Sequence, residues 1–192
     1  MTFCIYLTHP EVVIDPVSPV PDWHLSETGL ERARKALQLS FAQDIKRVVS
    51  SAEQKAQDTA HVFADPMGLQ VLTLQPLHEN DRSATGYLPK GDFDRTADAF
   101  FADPYNSVSG WERAIDAQRR IVSGVQAALT RIPENMPILF CGHGGVGTLL
   151  MCHLMNTPIS RTHDQKHAGS WFRFDRKDLA AQSANQLAWT AL

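Results

Sequence analysis

Cysteine is scarce in this chain: Cys4, Cys141 and Cys152 are the only three among 192 residues. A small, odd number excludes a disulfide framework and fits a reducing, cytoplasmic setting. Charge of one sign is lacking too. Lys and Arg total 18 against 21 Asp and Glu, a net charge of −3. No global basic field exists to hold nucleic acid or an anionic membrane, and a cationic site must be a local cluster. Long apolar runs are missing: none approaches the roughly 20 residues of a membrane helix. The apolar start Phe3–Leu7 is shorter than a signal h-region, with no basic segment ahead of it. Internal repeats, low-complexity tracts and composition breaks are absent as well, so one domain over 1–192 is expected. Hydrophobic residues at 43% exclude a disordered chain.

What is present is an alternation of strand and helix signals. Apolar runs at 3–7, 46–50, 70–74 and 137–141 read as buried strands, and 171–174 and 187–190 as closing strands. Prolines 10, 16, 19 and 21 exclude a helix over 10–22. Ser26 reads as an N-cap, with Leu30, Ala33, Leu37 and Phe41 at helical spacing over 27–41. Ser51 reads as the cap of a helix running to Ala64. A short helix is predicted over 93–102. Ser109 and Glu112 have capping-box spacing, predicting a long helix from there to Arg131. A further helix follows Gly145. Strands alternating with helices predict an α/β fold, a mostly parallel sheet with helices on both faces.

In such sheets ligands bind beyond the carboxyl ends of the strands. Strand one ends in Leu7-Thr8-His9. Strand two ends in Ser50-Ser51, a turn before Lys55. Strand four ends in Cys141-Gly142-His143-Gly144. If these strands are parallel neighbours, His9 and His143 converge on one crevice. The helix after Gly145 would point its N–H groups there, which favours an anion. Two other patterns are present. Gly142-x-Gly144-x-x-Gly147 matches a dinucleotide fingerprint, but its acidic partner, Asp164, lies in a polar stretch rather than at a strand end. His163 and His167 with Cys141 and Cys152 lack any Cys-x-x-Cys, which argues against a zinc set.

The ordered motifs resemble the histidine phosphatase superfamily, the phosphoglycerate mutase-like proteins. Leu7-Thr8-His9 stands where that family has Arg-His-Gly. Leu25-Ser26-Glu27-Thr28-Gly29 matches its Leu-[Thr/Ser]-x-x-Gly. Residues 50–60 match its Ser-Ser-x-x-x-Arg-Ala-x-x-Thr-Ala, Leu77-His78-Glu79 its Leu-x-Glu, and Gly142-His143-Gly144-Gly145 its second histidine loop. The resemblance implies a three-layer αβα sandwich and a phosphatase acting on a small phosphorylated substrate without metal or other cofactor. It implies His9 as the nucleophile that forms a phosphohistidine. His143 would donate to the phosphoryl oxygens, and Glu79 would serve as an acid–base group, which calls for a raised pKa. Gly144 would be among the substrate-binding groups, and residues 78–112 an insertion roofing the pocket.

Three departures bear on chemistry. Thr8 replaces an arginine, Pro10 a glycine and Lys55 a second arginine, so two guanidinium forks are missing. Arg82, three residues past Glu79, is a candidate for restoring the charge. Thr8 and Lys55 stand at the family's substrate-binding positions. Two alternatives follow: a weak or inactive relative that binds an anionic ligand, or a phosphoprotein (phosphohistidine) phosphatase. The 78–112 insertion favours a small-molecule substrate over the last.

Overall fold

A computed structural model describes residues 2–192. Six strands form one sheet: β1 (Phe3–Thr8), β2 (Arg47–Ser50), β3 (Val71–Thr73), β4 (Ile138–Gly142), β5 (Ser170–Asp175) and β6 (Thr190–Ala191), in the order β3-β2-β4-β1-β5-β6. The first four are parallel; β5 runs antiparallel to β1, and β6 antiparallel to β5. The helices are α1 (Glu27–Ala36), α2 (Gln54–Ala64), α3 (Lys90–Ala102), α4 (Ala114–Arg131), α5 (Gly144–Leu154) and α6 (Asp178–Ala181).

The period of two along β1 and β4 divides the core. Phe3, Ile5, Leu7, Leu139 and Cys141 face one way and pack with Ala60 and Phe63 of α2 and Ala36 of α1. Cys4, Tyr6, Ile138 and Phe140 face the other way and pack with Ile121 and Val125 of α4 and Leu149 and Leu150 of α5. Both faces are covered, so these strands are apolar throughout rather than alternating. The α/β sandwich expected from the alternation is the fold found. Among the described residues no helix is long and apolar enough to cross a membrane.

Several boundaries differ from the sequence reading, each for a local reason. The first helix stops at Ala36, because the Leu37 N–H turns back to Arg34 and Lys35. Phe41 is still buried, edge-on to Trp171, so the apolar spacing outlasts the helix. Ser109 and Gly110 have φ of 53° and 78° and form a turn. Glu112 therefore does not close a capping box. Its carboxylate pairs with Arg120 instead, and the helix begins at Ala114 with Arg113 before it. Ser51 does not cap α2, which starts at Gln54. The helix predicted from 93 begins at Lys90, behind Pro89, and the closing strand shrinks to Thr190–Ala191.

Ser26 does cap α1, accepting the Gly29 N–H at 3.0 Å. Its own N–H donates to the Glu11 carbonyl, and its hydroxyl to the Glu11 carboxylate. The proline loop is thereby fastened to α1. Gly29 makes this possible: a Cβ there would lie 2.1 Å from the Glu11 carbonyl oxygen. Backbone cannot step aside as a side chain can. Gly29→Ala should destabilise the fold by about 1–3 kcal/mol in urea unfolding. Gly91→Ala, whose Cβ meets only Arg95 at 3.7 Å, should be neutral or stabilising by up to about 1 kcal/mol.

Candidate active site

The pairing of β1 with β4 sets Thr8 opposite Gly142. The next residue on each strand is a histidine. The His9 N–H donates to the Gly142 carbonyl at 3.0 Å, and the two imidazoles lie 5.3 Å apart, edge to face. His9 Nδ1 is 2.8 Å from the Pro10 carbonyl oxygen. A carbonyl only accepts, so Nδ1 carries the proton and Nε2 keeps its lone pair. Burial first, and then the neighbouring His143, push the His9 pKa down to about 3 against the pull of that carbonyl.

His143 is fully buried. Its peptide unit is bracketed by Tyr6, whose hydroxyl accepts from the His143 N–H and donates to the His143 carbonyl. Its Nε2 lies 2.8 Å from Ser51 Oγ, and its Nδ1 has no partner. A buried polar atom left unpaired costs about 1–3 kcal/mol, so it is the kind of group a ligand satisfies. Burial pushes this imidazole down as well, outweighing the carboxylates of Glu53 and Glu79.

Glu79 reaches the start of α5. Its carboxylate accepts from the N–H groups of Gly145, Val146 and Asn80, each at 3.0 Å. Gly145 permits this, since a Cβ there would lie 2.8 Å from Glu79 Oε1. The expectation of a raised pKa is not met. Burial pushes the carboxyl up, but Arg82, His143 and the Asn80 N–H more than offset it and hold it below its usual value. The Gly147 N–H is taken by the His143 carbonyl. Of the four N–H groups that open α5, only that of Gly144 has no acceptor among the described residues.

Lys55 is buried, and two of its three donors are engaged, by Glu53 at 2.5 Å and by the Val20 carbonyl at 2.8 Å. The latter ties α2 to the proline loop. Thr8 is buried behind the histidines, its hydroxyl between Gln165 and Ser170. Arg82 is half-buried, with its guanidinium 5.1 Å from the Phe93 ring and 5.7 Å from the Trp111 ring. It makes no side-chain hydrogen bond among the described residues, so its five donors are free. It lines a cavity of about 590 Å³ with Glu53, Glu79, Asn80 and the Pro19–Asp22 stretch of the proline loop. A larger cavity lies at the opposite end of the sheet, around Thr2, Pro133 and Arg176, away from both histidines.

Sequence reasoning missed four residues. Glu53 accepts from Lys55 and from the Glu79 N–H, and stands 3.7 Å from His143 Nε2. Burial pushes its carboxyl up, but His143 and Lys55 outweigh it and leave it strongly lowered. Ser51, rather than capping α2, holds His143. Arg120 grips the carbonyls of Pro76, His78 and Glu79 while pairing with Glu112. Gln165 bonds Thr8. A Glu two residues before Lys55 was a visible signal for Glu53, and the position of Ser51 at the end of the second strand was one for Ser51; Arg120 and Gln165 carried none.

Comparison with known proteins shows the family and the fold. The chain matches the histidine phosphatase superfamily (branch 1) over residues 15–186. No curated protein matches it. Similar solved structures include a mycobacterial glucosyl-3-phosphoglycerate phosphatase, 21% identical, TM-score 0.75, covering 98% of this chain and 96% of its own. A phosphoserine phosphatase from Entamoeba histolytica, in complex with 3-phosphoglyceric acid, is 16% identical with TM-score 0.75, covering 100% and 98%. YhfR of Bacillus stearothermophilus is 20% identical with TM-score 0.74, covering 100% and 95%. The chain belongs to the histidine phosphatase superfamily.

Proposed function

We propose that this protein is a metal-independent phosphatase that hydrolyses a small phosphomonoester through a phosphohistidine on His9. One observation carries the reading. A neutral imidazole with its lone pair on Nε2 faces a second, buried imidazole whose Nδ1 is unpartnered. Family membership, and relatives of the same fold named as phosphatases, support the reaction class.

In the first step His9 Nε2 bonds phosphorus as the bond from phosphorus to the leaving oxygen breaks. Glu79 gives that oxygen a proton. Glu79 is ionised in the free pocket, so the proton comes with the substrate: a phosphomonoester takes up its second proton near pH ~6. A phosphoryl group arriving beside the carboxylate raises its proton affinity by like-charge repulsion. In the second step water bonds phosphorus, Glu79 takes its proton, and the bond to Nε2 breaks. His143 Nδ1–H and the Gly144 N–H donate to the phosphoryl oxygens. Arg82 and the third donor of Lys55 supply positive charge in place of the absent pair. Residues 78–112, which carry Glu79 and Arg82, form the roof.

The protein is expected to hydrolyse p-nitrophenyl phosphate with a chelator present, and His9→Ala to lower kcat/KM by about a thousandfold or more. Unchanged turnover in His9→Ala overturns the reading. Arg82→Leu should lower kcat/KM by roughly 10- to 100-fold, since it removes the free guanidinium and leaves the aromatic packing.

Both histidines are held below the ordinary imidazole value. Below pH ~6.5 the unfolded chain therefore binds protons that the native state refuses. Stability should fall as pH drops from there toward the folded His9 value of about 3. Urea midpoints measured at pH 7, 6 and 5 should decline, and less steeply in His9→Asn. A midpoint that is flat or rises on acidification contradicts the neutral-imidazole arrangement.

A further inference from the structure

Thr8 ends β1 with its side chain pointing away from solvent, and its single hydroxyl proton has a choice of acceptors. Gln165 Oε1 lies at 2.6 Å and the Ser170 carbonyl at 3.2 Å, while the Ser170 N–H donates to the hydroxyl at 2.9 Å. A separation of 2.6 Å suits O–H···O and is short for N–H···O. The proton therefore goes to Gln165, which identifies the amide atom facing Thr8 as oxygen. The other end of the amide is thereby turned away from Thr8, and Nε2 comes over Gly144. A Cβ on residue 144 would lie 2.4 Å from it, so only glycine leaves room for the amide. Nε2 donates to no acceptor among the described residues, and it lies against Gly144, whose N–H is the one of those opening α5 without an acceptor and which directly follows His143 with its unpartnered Nδ1.

The loop that carries Gln165 is anchored. The Gln165 N–H donates to Asp164 at 2.8 Å, and that carboxylate accepts from Thr148 of α5 at 3.0 Å. Trp189 Nε1 holds the His163 carbonyl at 2.9 Å. The amide is thus ordered in advance, and little entropy is lost when it meets a ligand.

We propose that Gln165 is a phosphate-binding residue whose Nε2 donates to the phosphoryl group shared by Gly144 and His143, and that Thr8 is the positioning residue that aims it. The pair takes over, through a neutral amide borrowed from a distant loop, the place left by a guanidinium. The inference rests on the phosphatase reading for the identity of the ligand.

The test is orthovanadate binding to the full chain, followed by calorimetry. Wild type should bind. Gln165→Ala should weaken binding roughly 10- to 100-fold, the range for one hydrogen bond to a charged group. Gln165→Glu should weaken it further, because a carboxylate would then face the anion. Thr8→Ser should bind as wild type. Thr8→Val should bind less tightly, and Thr8→Val with Gln165→Ala no worse than Gln165→Ala alone. Thr8 is buried and its valine variant could fail to fold, so the Gln165 pair decides. If wild type binds and both Gln165 variants bind equally well, the role of Gln165 is overturned and the phosphatase reading stands. Equal weakening by Ala and Glu overturns it too, since that marks packing rather than donation. A wild type that binds no vanadate overturns both proposals.

Discussion

The parallel pairing of β1 with β4 is the constraint from which the site follows. Adjacent strands lie about 4.8 Å apart, and the register sets Thr8 against Gly142. Each strand continues by one residue, and that residue is a histidine. The rings meet because the sheet is in register, with no loop required to bring them together. The bond from the His9 N–H to the Gly142 carbonyl extends the ladder one step past the last paired residues. A slip of one residue would send one imidazole into a helix layer. The apolar run of both strands, buried on both faces, makes such a slip costly.

Around that pair the protein assembles charge from separate elements. Glu79 comes from the segment after β3, Lys55 and Glu53 from the start of α2, and the N–H groups from α5. The carboxylate of Glu79 fills two of the helix's orphan donors, so helix and acid satisfy each other. Glu53 works in the same economical way. It neutralises Lys55, accepts the Glu79 N–H and stands close to His143. Buried ionic groups are tolerated here because each is paired or hydrogen-bonded.

The strands and most helices were legible in the sequence because period and burial agree along them. The ends of elements were not. The spacing at Leu37 and Phe41 is helical, but it is met by tight turns that bury the same side chains. Ser109 and Glu112 have the spacing of a cap, yet two successive residues of positive φ turn the chain the wrong way. The histidines could be paired from sequence because topology alone joins them. The partners of Thr8 and of His143 could not. Gln165 lies 157 positions from Thr8, and Ser51 lies 92 from His143. Such contacts depend on how a polar loop closes over the sheet, which no local pattern records. The ionisation of Glu79 was misread for a related reason: a lone carboxylate in a polar segment gives no hint that a helix terminus will hold it.

Arg120 does not line the cavity, yet it clasps three carbonyls of the backbone leading into Glu79, those of Pro76, His78 and Glu79 itself. It stands on α4, and Glu112 steadies it. The height at which the acid stands over the pocket is thus dictated from outside. Drift at position 120 or 112 would move the Glu79 carboxylate relative to the two imidazoles while leaving both histidines and their strand register untouched, so the spacing within the cluster can change without a change in any of its members.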